Sequence, residues 1–98
     1  MKCYMKLYKI GNHVLLAICD TELLGKTLHQ GKITFKITEQ FYKGEEVEVD
    51  HAISMIEKST IVNMIGENVV NKAIEKGYVH PEAVIRIEGI PHAQIVKL

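Results

Sequence analysis

The side chains able to do chemistry are scattered along this chain. His13, His29, His51, His80 and His92 form no HxH or HxxxH pair, and Cys3 and Cys19 form no CxxC. Zinc centres draw their ligands from such close pairs, so no metal site and no cofactor is expected. A nucleophilic thiol needs a base or cation beside it to lower its pKa. Cys19 instead closes the apolar run Val14 to Ile18, an environment that raises it. Gly25-Lys26-Thr27 imitates the end of a phosphate-binding loop. Asp20, however, occupies the place of that loop's first glycine, where its charge repels phosphate. Gly66-Glu67-Asn68 opens a helix whose free amides suit an anion, although Glu67 already complements the helix dipole.

Two groupings remain. In the last strand His92 and Gln94 project from the same side, because alternate residues share a face. With Asn63 they outline an enzyme reading, in which His92 acts as acid or base and the two amides orient a substrate beside Gly66. The other grouping is Lys6, Lys9, Lys32 and Lys36, read as alternating positions on two strands that form a local basic face. Phosphate contacts from such lysines make RNA binding salt-dependent. Tyr8 would add stacking where exposed, and so would Phe35, although that ring reads more readily as core.

The elements that must position these residues follow from hydrophobic period and turn signals. Met5–Ile10 and His13–Cys19 flank Gly11-Asn12 and predict a hairpin, with the apolar second strand central. Asp20 is expected to cap a short helix ending at Gly25. Residues 32–38 alternate as a strand, with Ile33, Phe35 and Ile37 on one face. Residues 39–49 read as a turn or bent edge in which Val47 and Val49 can pair briefly. Asp50 is expected to cap a helix over 51–58. Residues 60–65 fit a strand or a continued helix, and residues 67–76 a helix closed by Gly77. Finally, residues 83–88 and 93–96 are predicted to pair antiparallel around the turn Gly89–His92. Ile85, Ile87, Ala93 and Ile95 then face inward, with Arg86, Glu88, His92, Gln94 and Val96 opposite. Hairpins at both ends with two to three helices between them predict one α+β domain over residues 1–98. The expected architecture is a compact two-layer α-β sandwich on a mixed or antiparallel sheet.

Composition bounds the function. Twelve Lys plus Arg balance twelve Asp plus Glu, which excludes a protein that coats nucleic acid by bulk charge. The longest apolar run near the N-terminus is too short for a signal sequence or a membrane span, so a cytoplasmic protein without membrane contact is expected. Paired strands could join the two cysteines, but a single bridge is no secreted framework. A homodimer through an exposed strand edge is compatible with neutral charge.

Three blocks in order carry a resemblance: Cys19-Asp20-Thr21-Glu22-Leu23-Leu24-Gly25-Lys26-Thr27, then Thr60 to Glu67, then Gly89-Ile90-Pro91-His92-Ala93-Gln94-Ile95-Val96. They resemble the archaeal domain-of-unknown-function family numbered 424, from Met5 onward. That resemblance implies a small α-β fold and an archaeal protein associated with translation, with the ribosome, RNA or a translation factor as partner. It implies no reaction. It also marks Asp20, Lys26, Asn63, Gly66, Glu67, His92 and Gln94 as candidate binding positions. The expected function is thus a non-enzymatic binding module, with the His92/Asn63 enzyme and a protein-interaction subunit as alternatives.

Overall fold

A computed structural model describes residues 1–98. In chain order its strands are β1 (Lys2–Ile10), β2 (His13–Asp20), β3 (Thr27–Gln30), β4 (Ile33–Lys36), β5 (Glu45–Glu48), β6 (Ile61–Ile65), β7 (Ile85–Ile87) and β8 (Ile90–Val96). Helices α1 (Glu39–Tyr42), α2 (Val49–Ser54) and α3 (Glu67–Glu75) fall between them. Six strands make one mixed sheet in the order β5-β1-β2-β6-β8-β7, and β3 pairs with β4 separately. Only β2 and β6 run parallel. This is an α+β fold.

The apolar β2 lies between β1 and β6 and is buried from Leu16 onward, as expected of a central strand. Helices α2 and α3 pack over Met5, Leu16, Ile18, Val62 and Met64 on one face. On the other face Ala17, Cys19, Ile65 and Ile87 meet Leu28 and Ile37 from the β3–β4 region and Tyr42 from α1. The arm formed by β3, β4 and α1 therefore covers one end of the second face.

Several elements differ from the sequence expectations. Of the two readings for residues 60–65 the strand holds, as β6 over Ile61–Ile65, consistent with the β-branched Ile61 and Val62. Residues 39–49 are not one bent segment: Thr38 Oγ1 accepts from the Phe41 amide at 3.1 Å and caps α1, Val47 then pairs within β5 as expected, and Val49 opens α2. Asp50 is not a cap, because α2 already begins at Val49 and ends at Ser54, with a 3-10 turn over Met55–Lys58. The partner of β4 is β3, a strand the sequence did not announce. A disulfide is excluded by the pleat: Cys3 belongs to the helix-side core and Cys19 to the arm-side core.

The C-terminal hairpin forms, but its turn has two residues where four were expected, and the register differs accordingly. Glu88 and Gly89 both hold positive φ, at 52° and 78°, and close a two-residue turn with Ile87 opposite Ile90. Positive φ at both central residues is the type I′ geometry that suits strand twist. Pro91 is therefore a strand residue opposite Arg86, and Ile85 opposes His92. Directly opposed residues share a face, so Ile85 and Ile87 lie with His92 and Gln94, away from Ala93 and Ile95. Ile87 is buried there, while Ile85 is 62% exposed.

Candidate functional site

The candidate positions separate into a structural set and a cleft. Asp20 is 1% exposed, and its carboxylate reaches across the fold to the first turn of α3. Oδ2 accepts from the Asn68 amide at 2.9 Å and Oδ1 from the Val69 amide at 3.0 Å. The anion foreseen at Gly66-Glu67-Asn68 is thus the chain's own carboxylate. Asp20 makes no side-chain cap on the 3-10 turn Thr21–Leu23 that follows it. Burial pushes its carboxyl above the usual range, and the two amide bonds offset part of that shift. Gly66 completes the arrangement. Its φ is +127°, and a Cβ there would stand 2.6 Å from each carboxylate oxygen. Only glycine fits at that distance.

Two more candidates are structural or peripheral. Glu67 pairs with Arg86 Nη1 at 3.2 Å on the surface. Lys26 acts through its backbone, whose carbonyl accepts from the Ile37 amide at 2.9 Å. The four lysines do not make one basic face. Lys6 and Lys9 are three apart on β1 and so point to opposite faces, and Lys32 lies in the turn between β3 and β4. Lys6 and Lys36 alone flank the arm-side surface.

That surface carries the chemistry. In the β6–β8 register Asn63 opposes Gln94 and Ile65 opposes His92, so Asn63, Gln94 and His92 share the arm-side face. A cleft of about 370 Å³ opens where the arm ends, with Asn63 and His92 on the sheet and Phe35, Lys36, Thr38 and Phe41 on the arm. Tyr42 forms its buried floor. The rings of His92 and Phe35 meet edge to face at 5.1 Å between centroids. Gln94, exposed, lies one strand over from Asn63. Asn63 and His92 are half-buried, and neither side chain has a hydrogen-bond partner in the chain. Burial lowers the His92 pKa below its usual value, so at neutral pH the ring is an uncharged donor and acceptor.

A second cleft, about 300 Å³, adjoins the first and shares Thr38 and Phe41 with it. It is bounded by Lys6 and Tyr8. Tyr8 stacks on Phe41 at 5.6 Å, and Lys6 Nζ lies 5.2 Å from the Tyr8 ring. Three contacts seat α1 on the sheet here: Tyr8 Oη donates to the Phe41 carbonyl at 2.7 Å and shares with the Gln40 carbonyl at 3.1 Å, and Lys6 Nζ donates to the Gln40 carbonyl at 2.8 Å. Phe41 is the ridge between the clefts. Sequence reasoning passed over Phe41 and Tyr42 because it took their segment for a turn, and over Thr38 because it took that residue for the end of a strand. Thr38 followed by Glu39 is a legible helix start that could have found them.

No carboxylate lines either cleft, so neither offers the anionic partner that commonly orients a catalytic imidazole. The fold and the clefts define a small α+β domain with an aromatic, amide-bearing sheet face. The sequence matches the family described as Protein of unknown function (DUF424) over residues 8–98, and the chain belongs to that family. It is also similar to an uncharacterized conserved protein from the archaeon Methanopyrus kandleri, known from a crystal structure. The TM-score is 0.85 and the identity 27%, over 100% of this chain and 95% of that one. No curated protein matches the chain. No helix is long and apolar enough to cross a membrane.

Proposed function

We propose that the chain is a non-enzymatic binding module that takes single-stranded RNA on its arm-side sheet face, as an accessory of the translation machinery. The observation that carries this reading is the pair of clefts on either side of Phe41, each with one lysine and with rings in its wall. Bases stack on such rings without help from bulk charge, and lysines beside them meet the phosphates. This fits a chain whose formal net charge is zero. Binding to short single-stranded RNA and to ribosomal subunits, titrated across salt, tests it. Single strands give a slope of log K against log salt of about −0.7 per phosphate contact. Lys6 and Lys36 together predict a slope of about −1.4. Absence of any association at low salt would remove the reading.

A further inference from the structure

Asn63 is the side chain that the fold leaves unexplained. It sits in the middle of β6, between β2 and β8, where an apolar residue would continue the strand's burial. Its neighbours across the parallel pair and along the same face are Ala17 and Ile65, both fully buried. Its amide atoms still reach solvent at the cleft, where their hydrogen bonds need a partner. The chain supplies none, and the carboxamide lines the cleft instead.

The lining narrows the ligand. A carboxamide presents a donor and an acceptor side by side, the pattern that matches the edge of a nucleobase. Phe35 and Phe41 give the cleft the apolar walls a flat heterocycle needs. With no carboxylate there, a cationic ligand finds no counter-charge. Lys36 has no ion-pair or hydrogen-bond partner in the chain and provides a single positive charge at the cleft, suited to one phosphodiester.

We infer that this cleft holds one unstacked nucleobase, read by the Asn63 carboxamide between Phe35 and Phe41, with Lys36 on the adjoining phosphate. The inference rests on the RNA-binding reading and deepens it, because it assigns base selectivity to one of the two clefts. The probes are four homopolymeric RNA pentamers and the four free nucleoside monophosphates, tested against the full chain and its Asn63→Ala, Asn63→Asp and Lys36→Ala variants. The natural chain is expected to prefer one base by about tenfold or more. Asn63→Ala should bring the four pentamers within about twofold and leave the salt slope unchanged. Asn63→Asp keeps the shape but removes both donors, so it should lose or exchange the preference. Lys36→Ala should weaken all four alike and reduce the salt slope by about 0.7. A monophosphate that competes as well as its pentamer would assign the same base site to a free nucleotide; pentamers bound far better than monophosphates assign it to a strand. Salt-dependent binding without base preference, or a preference that survives both Asn63 variants, would overturn the base site while the RNA reading stands. No binding of any probe at low salt would overturn both.

Discussion

A buried carboxylate destabilises a fold unless each oxygen is satisfied, and Asp20 meets that condition with two backbone amides 48 and 49 positions away. It ties the end of the central strand to the start of α3, a task the sequence could not show because nothing local marks it. Since burial holds its folded pKa above the ordinary 3.8, the folded chain keeps the proton longer than the unfolded one. This group's own titration therefore costs stability as pH rises through that window. Removing the side chain costs more, because two amides at a helix start would be left buried and bare. Asp20→Ala is expected to lower the unfolding free energy by about 2–4 kcal/mol. Asp20→Asn should lose less, since one oxygen still accepts while the amide group confronts the second N–H. Urea unfolding of both variants measures this, and an alanine variant within about 0.5 kcal/mol of the parent would contradict the cap. The two thiols need no such partner. Burial pushes Cys3 and Cys19 up to about 12, which keeps them protonated and inert at neutral pH.

At the scale of elements the closing hairpin is the instructive case. Its turn asks for left-handed backbone at two successive positions, and Glu88 meets that demand against its own preference. Asparagine tolerates the same φ, so Glu88→Asn should stabilise the protein by about 0.5–1 kcal/mol. Chemical denaturation would register the gain, and its absence would mean that the turn is not of the type I′ form. The same turn explains why the register was misjudged. Glycine and proline close together suggested a four-residue loop, yet Pro91 sits buried in β8 opposite Arg86, and its carbonyl accepts from the Gly66 amide at 2.9 Å. Hydrophobic period placed β2 and α3 closely, because each buries a wide apolar face, whereas it left β6 open between strand and helix and began β1 at Met5 instead of Lys2. It missed β3, since Thr27, His29 and Gln30 are exposed and only Leu28 is buried. Half of the site was legible: Asn63, His92 and Gln94 stood out as polar residues in apolar strands, and Tyr8 and Phe35 as rings beside lysines. The arm's share was not, because Phe41 reaches the cleft only through a four-residue helix whose position depends on tertiary bonds from Tyr8 and Lys6.

For the molecule as a whole, the question is what closes the sheet at its ends. One outer strand, β5, carries Glu45, Glu46 and Glu48, and like charges brought together by edge pairing would repel. That edge is held from inside by the first residues of β1. Lys2, Cys3, Tyr4 and Met5 oppose Glu48, Val47, Glu46 and Glu45, and the Val49 amide donates to the Met1 carbonyl at 2.8 Å. Cys3 is fully buried in the core beneath α2. The family match begins only at residue 8, which would suggest that these residues are dispensable. The contacts argue the reverse. A chain shortened to begin at Met5 keeps one of the four β5 pairs, loses the buried Cys3 and frees the start of α2. The surface ion pairs of Glu48 with the N-terminus and Lys2 add little to that loss. The ladder bonds and burial together predict a decrease of about 2–4 kcal/mol, or a melting temperature lower by about 10–20 °C in a domain of this size. Every residue that lines the two clefts is retained, Tyr8 and Lys6 among them, so the RNA binding proposed for them should not change well below the melting temperature. Calorimetry and RNA titration of the shortened chain separate the two effects. An unchanged melting temperature would mean that β5 and α2 are anchored by something other than the strand's first four residues.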